Sequence, residues 1–389
     1  MHFDFDTVVD RKNTLSLKYD FAEERNRPKD ILPLWVADMD FPAAPGIIER
    51  LTQCISHGIY GYSEGKQEYF AALSAWYEKN FQWKTESSWL VKTPGVVYAI
   101  AAAVRAFTNP GDSVLIQSPV YYPFREVIEA NDRKTAANSL ILRNGHYEID
   151  FADFEKQIRE KQIRLFILCS PHNPVGRVWT KEELKRLGEI CIRYQVKIVS
   201  DEIHSDFTWP GYQHTVFASL GAAYAENTIT CTAPSKTFNL AGLQVSNIFI
   251  SNPRIKKEFL RAIDQTGYSQ LNLPGLVACQ AAYETGAEWL TQLKDYLKRN
   301  LDYVRTFLKQ EIPQIRLIEP EGTYLLWLDC RGLGLSDKEL EKFMVEKANL
   351  WLDGGTMFGP EGAGFQRINI AYPKQTLEKA LHQLKAALQ

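Results

Sequence analysis

The sequence is short of the features that mark most specialised protein classes. It has six cysteines, Cys54, Cys169, Cys191, Cys231, Cys279 and Cys330, and no C-x-x-C among them. That spacing excludes the usual zinc ligand sets and a dense disulfide framework. It fits scattered buried thiols in a reducing compartment. No stretch reaches ~18 uninterrupted apolar residues, so no membrane-spanning helix is expected. Lys and Arg number 45 against 47 Asp and Glu, a net charge of -2. There is no basic excess to draw in nucleic acid through phosphate contacts. Met1-His2-Phe3-Asp4 is not a basic start followed by an apolar run, so no secretory signal is expected and the cytoplasm is the natural setting. Internal repeats and low-complexity linkers are also missing.

What remains is an ordinary globular composition, 45% hydrophobic and 24% charged over 389 residues. That length allows about two domains at ~100–200 residues each. Aromatics at 12% are enough to line a pocket. The middle of the chain alternates short apolar runs with helical patterns. Val114–Ile116, Leu165–Leu168, Lys197–Val199 and Asn247–Ile250 read as buried strands. Val97, Ile100, Ala101, Val104 and Phe107 recur at helical spacing and predict a helix over 96–107. Thr180-Lys181-Glu182-Glu183 is a capping box opening a helix that runs to about Tyr194. This alternation predicts an α/β fold with a mostly parallel sheet covered on both faces. Residues 1–44 are charged, proline-rich and irregular. After about 285 come a long helix (Glu288 to Phe307), a strand at Tyr324–Leu328, a second capping box from Ser336 to Glu339, a strand at Phe365–Ala371 and a last helix. The end of the chain therefore reads as a smaller α+β domain.

In open α/β sheets ligands sit at the carboxyl ends of strands, and four such ends carry polar chemistry. Thr93-Pro94-Gly95-Val96-Val97 leads into a helix N-terminus whose free N–H groups suit a phosphate. Ser170-Pro171-His172-Asn173-Pro174-Val175-Gly176 is a turn held by two X-Pro bonds, with an amide at Asn173. Asp201-Glu202-Ile203-His204 puts carboxylates at the end of an apolar strand, where each needs a cation or hydrogen bonds. Ser235-Lys236 follows another strand in an apolar context that lowers a lysine pKa and favours Schiff-base chemistry. Each alone has an ordinary explanation: a solvated helix start, a turn, a cap or salt bridge, a surface pair. No metal is expected, because the spacing of His172, His204 and His214 matches no ligand pattern. Together the four signals satisfy the phosphate, phenolic oxygen, pyridine nitrogen and aldehyde of pyridoxal 5′-phosphate.

With Ser118-Pro119-Val120-Tyr121 and Arg367 added in order, the chain resembles the fold-type I pyridoxal-phosphate enzymes, the aminotransferase class I/II group. Within that group it is similar to the bacterial cystathionine β-lyases, or C–S lyases, of the MalY/PatB type. The narrower likeness rests on Leu34-Trp-Val-Ala-Asp-Met-Asp-Phe-Pro42, Tyr60-Gly61-Tyr62, the stretch Ser235 to Gln244 and Phe365-Gln-Arg-Ile-Asn369. The resemblance implies a large domain at 45–285 with a mostly parallel, seven-stranded-type sheet, and a small α+β domain formed by 1–44 and 286–389. It implies that Lys236 holds the cofactor and acts as base, that Asp201 pairs with the ring nitrogen and that Asn173 bonds the phenolic oxygen. Tyr121 would stack on the ring, with Tyr122 helping proton movement. Gly95, Val96 and Val97 would cradle the phosphate with Ser235 and Thr232. Arg367, assisted by backbone at Ala37, would clamp the substrate carboxylate, with Asn173 beside it. Tyr60 or Tyr62 would reach the neighbouring site of a homodimer. Three positions depart from the broad family: His204 replaces a tyrosine, Gln244 an arginine and Ala233 a hydroxyl. The implied reaction is α,β-elimination of a sulfur amino acid to a thiol, pyruvate and ammonia. An aminotransferase, using the same residues, and a partner-binding regulator on the same fold are the alternatives.

Overall fold

A computed structural model describes residues 2–389. A seven-stranded sheet forms its centre, in the spatial order Leu90–Thr93, Ser246–Phe249, Thr228–Thr232, Lys197–Asp201, Leu165–Cys169, Ser113–Ser118, Lys134–Ser139. Ser246–Phe249 is antiparallel to both its neighbours and the remaining pairings are parallel. The central strands are buried along their length apart from Lys197 at one strand start, as expected when helices cover both faces. Val96–Phe107 and Pro253–Asp264 cover one face, meeting Ile167, Val199 and Ile229. Phe151–Glu160 and Lys181–Arg193 cover the other, meeting Phe166, Leu168 and Ile198. The helix at 96–107 has the predicted bounds, and both capping boxes are closed by reciprocal side-chain and backbone bonds.

A second, four-stranded antiparallel sheet runs Arg316–Ile318, Leu325–Asp329, Phe365–Asn369, Asp353–Gly354. The strand expected to reach Ala371 stops at Asn369, whose Oδ1 turns back to accept the N–H of Ala371 at 2.8 Å. The irregular N-terminal stretch is tied to this half of the chain by a parallel pairing of Leu32–Pro33 with Leu350–Trp351. No helix among the described residues is long and apolar enough to cross a membrane.

One buried ion pair joins the two sheets. Arg177 Nε meets Glu321 Oε2 at 2.8 Å, with side chains only 5% and 8% exposed. The same carboxylate oxygen accepts the N–H of Val178 at 2.7 Å, and Arg177 also grips Glu183 of the first capping box. The N–H groups of Glu321 and Gly322 both reach the carbonyl of Gly176. Gly176 is required there: its φ is +74°, and a Cβ would lie 3.0 Å from the ring of Pro320. These contacts immobilise the turn that carries Asn173. Removing one partner of a buried pair strands the other charge, which costs about 3–5 kcal/mol. Glu321→Ala is therefore expected to lower the urea unfolding free energy by about that amount, read at pH 7 with circular dichroism. A loss below about 1 kcal/mol, the worth of an exposed pair, would show that the Asn173 turn is held by its own backbone alone.

Candidate active site

A cavity of about 270 Å³ opens at the carboxyl ends of the central strands. Its wall takes Gly95, Val96 and Val97 from the start of the 96–107 helix, Tyr121 from beyond Ser113–Ser118, Asn173 from the proline turn and Asp201 with His204 from the end of Lys197–Asp201. Ser235 and Lys236, just past Thr228–Thr232, Gln244 beyond them and Ala37 from the N-terminal stretch join it. A larger surface cleft, about 860 Å³, lies at the opposite ends of the strands, among Arg105, Arg159, Arg164 and Lys197. Size does not single out the site; the carboxyl-end position and the polar groups do.

The register explains the electrostatics. Cys169 pairs with Asp201 and Asp201 with Cys231, so the carboxylate sits on one face between two buried thiols. Burial pushes Asp201 up to about 7, with Glu202 adding to the rise; the N–H of Ile203 and the charge of Lys236 oppose it. Burial lowers Lys236 to about 8, with Arg367 and Lys18 lowering it further and Asp38 and Asp201 resisting. Its Nζ donates to the carbonyl of Ala37 at 3.0 Å, which also accepts from Tyr324 Oη at 2.9 Å. Burial, then Lys236 and Arg367, brings His204 down to about 3, a neutral imidazole at ordinary pH, and its Nδ1 has no partner. Arg367 is 3% exposed. It donates from Nη1 to Asn173 Oδ1 at 3.0 Å and from Nη2 to the Trp35 carbonyl at 2.8 Å, and Nη2 also meets Asp353 Oδ2. Its Nε is buried without a partner. Because Asn173 Oδ1 serves the guanidinium, its amide N–H groups are left for the cavity.

Most of the residues singled out from the sequence converge here: Gly95, Val96, Val97, Tyr121, Asn173, Asp201, His204, Ser235, Lys236 and Ala37 all line the cavity. Arg367 adjoins it through Asn173. Thr232 is a correction. It lies on the strand face opposite Ile229, Cys231 and Ala233, and its hydroxyl donates to the Asn247 carbonyl at 2.8 Å, inside the sheet. Alternation along the strand would have revealed this. Tyr122 is not on the wall; it packs on Tyr121 and on Phe358, with centroids 5.5 and 5.8 Å away. Tyr60 and Tyr62, 61% and 98% exposed, lie outside the cavity. Sequence reasoning missed Asp353 and Tyr324. Asp353 follows the apolar run Leu350-Trp351-Leu352 and is 2% exposed, the same signature that marked Asp201.

The groups on this wall fit pyridoxal 5′-phosphate. The 96–107 helix has no side-chain cap on its first-turn N–H groups, and a Cβ at Gly95 would meet nothing within 4 Å, leaving open space for an anion. A desolvated carboxylate at Asp201 lacks a cation, as a partner for a protonated ring nitrogen should. A neutral-leaning amine and free amide N–H groups stand beside it. The Asp201 shift has a definite sign. A folded pKa above the ordinary carboxylate value gives stability that is complete below about pH 4 and is lost as pH rises through 7. Cofactor-free Asp201→Asn is therefore expected to melt higher than cofactor-free wild type at pH 8, by an advantage that shrinks towards pH 5. The same variant should hold the cofactor more weakly in equilibrium dialysis. A melting advantage independent of pH would assign the gain to something other than the carboxylate's charge.

Comparison with known proteins places the chain. The family model for aminotransferase class I and II matches residues 29–384. The cystathionine beta-lyase PatB of Bacillus subtilis is 43% identical over 99% of both chains. A pyridoxal-phosphate-bound protein of Clostridium difficile 630 superposes with a TM-score of 0.97 at 43% identity over 100% of both chains. The pyridoxal-phosphate-bound C–S lyase of Staphylococcus hominis gives 0.93 at 34% identity, over 100% of this chain and 98% of that one. The chain belongs to the aminotransferase class I and II family, whose members depend on pyridoxal 5′-phosphate.

Proposed function

We propose that this protein is a pyridoxal-phosphate-dependent carbon–sulfur β-lyase of the cystathionine β-lyase type. The observation that carries this reading is the 43% identity to a cystathionine beta-lyase over 99% of both chains. The overall reaction takes a sulfur amino acid and water to a thiol or hydrogen sulfide, pyruvate and ammonia; L-cystathionine would yield homocysteine and L-cysteine would yield hydrogen sulfide. When bound, the cofactor supplies an electron sink for the pair left on the substrate Cα.

The protein's own residues do the rest. Lys236 anchors the cofactor and then takes the Cα proton at Nζ, which its lowered pKa of about 8 leaves free as an amine in a useful fraction. Asp201 provides the carboxylate that keeps the ring nitrogen protonated. Asn173, held by the Arg177–Glu321 pair, donates its amide to the phenolic oxygen. Gly95, Val96 and Val97 with Ser235 bind the phosphate, and Gln244 on the same wall adds a neutral donor and no charge. Arg367 receives the substrate carboxylate on Nε, its unpartnered donor, since Nη2 is occupied by Asp353 and Trp35 and Nη1 by Asn173. Tyr121 packs against the ring, and Tyr122, outside the cavity, supports Tyr121 from behind.

The protein acts as a homodimer in the cytoplasm in this reading. Ile48, Ile55, Ile59, Tyr60 and Tyr62 are all exposed along Pro45–Ser56 and the segment after it, an apolar surface suited to a second copy. Sedimentation should give twice the mass of one chain, and a monomer at micromolar concentration would remove Tyr60 and Tyr62 from the site. The activity test is pyruvate release from L-cystathionine by the holoenzyme with no keto acid added. Lys236→Ala should lower it by at least about 100-fold, the scale of lost acid–base catalysis. Amino transfer only after a keto acid is supplied, with no free thiol, would make the protein an aminotransferase instead.

A further inference from the structure

The segment that carries Ala37 is braced from behind by a charge cluster that the proposed chemistry does not use. Its frame is a small self-closed loop. The carboxylate of Asp20 accepts the N–H groups of Asn13, Thr14 and Ser16 at 2.8, 3.0 and 2.9 Å, and Thr14 Oγ1 donates to the Arg11 carbonyl at 2.6 Å. The loop presents Arg11, Lys18 and Tyr19 to the stretch after Trp35. Arg11 meets Asp38 Oδ2 and Asp40 Oδ1, both at 2.7 Å. Lys18 Nζ meets Asp38 Oδ1 at 3.1 Å and Asp40 Oδ1 at 3.0 Å, and donates to the Asp38 carbonyl at 3.2 Å. Tyr19 Oη donates to Asp40 Oδ2.

Lys18 is the unusual member. Its side chain is 0% exposed and its ammonium lies 4.0 Å from the centroid of the Tyr372 ring. Burying an ammonium costs several kcal/mol unless partners repay it, and here two cations face two carboxylates in balance. What the arrangement secures is backbone geometry. Between these contacts, the Asn369 amide, which donates to the Val36 and Asp38 carbonyls at 2.7 Å each, and Tyr324, the peptide at Ala37 is held on both sides. Its carbonyl is the acceptor for Lys236 Nζ.

We propose that Arg11, Lys18, Asp38 and Asp40 are positioning residues: their cluster locks the 36–40 backbone against Lys236, and its balance of charge sets the field at Nζ. The charged groups facing that nitrogen are few. Asp38 and Asp201 favour its cation, Arg367 and Lys18 disfavour it, and His204 is neutral. Of these, only Lys18 and Asp38 lie outside the proposed cofactor and substrate contacts, so they can be changed without touching either ligand.

The test reads the visible absorption of the resting holoenzyme against pH, with no substrate present, because the cofactor joined to Lys236 reports the charge at that nitrogen. Failure of this proposal is thereby separate from failure of the lyase reading. Lys18→Met should move the spectral midpoint up and Asp38→Asn should move it down. Each shift should be about half a pH unit or more, a factor of about three in proton affinity. In both, kcat should fall by more than KM rises. The double variant Lys18→Met, Asp38→Asn removes one charge of each sign, so its midpoint should return close to the wild-type value even if Lys18→Met alone folds poorly. A midpoint that stays put in folded Asp38→Asn, a double variant whose midpoint departs from wild type as far as either single variant's, or single variants that move the same way would overturn the proposal and leave the cluster a structural brace only.

Discussion

The stretch from Leu34 to Phe41 is buried backbone with little regular structure, so its carbonyls must find partners elsewhere. Each one left bare would cost about 1–3 kcal/mol. The Leu34 carbonyl accepts the Asn369 N–H, that of Trp35 accepts Arg367, those of Val36 and Asp38 share the Asn369 amide, and that of Ala37 takes Lys236 and Tyr324. Those of Met39 and Phe41 share the amide of Asn239. Three distant parts of the chain are thus obliged to point at one segment. The orientation of the cavity's amine and of its guanidinium follows from that obligation as much as from any ligand.

The same burial sets the chemistry. Asp201 and Lys236 are each pushed toward their neutral forms, to about 7 and about 8, because neither has a full counter-charge in reach. A polar group placed so is unstable until something completes it. Arg367 is treated differently. Asp353 shares its charge on one edge and Asn173 occupies part of another, which leaves a narrow donor face at Nε for a planar anion.

Much of this was legible in the sequence because it is local. The 96–107 helix announces itself by spacing, the two capping boxes by four residues each, and the strand ends by apolar runs that stop at a polar residue. Eight of the residues marked from those patterns line one cavity, joined there by Tyr121 and Ala37, which the family resemblance supplied. What stayed hidden depends on which strand lies beside which. Thr232 is expected at the phosphate as a substitute for the hydroxyl that Ala233 lacks, but strand alternation turns it to the other face, where its hydroxyl donates to the Asn247 carbonyl. Asp353 becomes a partner of Arg367 only through the pairing of Asp353–Gly354 with the Phe365–Asn369 strand. Glu321 finds Arg177 across 144 positions of sequence, where no local pattern can link them.

The antiparallel strand Ser246–Phe249 separates Leu90–Thr93 from every other strand of the sheet. During synthesis, residues 90–93 leave the ribosome about 150 positions before their only sheet neighbour exists. At ~5–20 residues per second that is an interval of roughly 10–30 s. Leu32–Pro33 waits longer still, for Leu350–Trp351 near the far end. The parallel strands, whose partners all lie within residues 113–232, can therefore pair before Leu90–Thr93 and Leu32–Pro33 meet theirs. The Gly95 side of the wall can be seated once Ser246–Phe249 has been made, whereas the Ala37 side waits for Tyr324 and Asn369, so the cavity around the amine is finished in two stages.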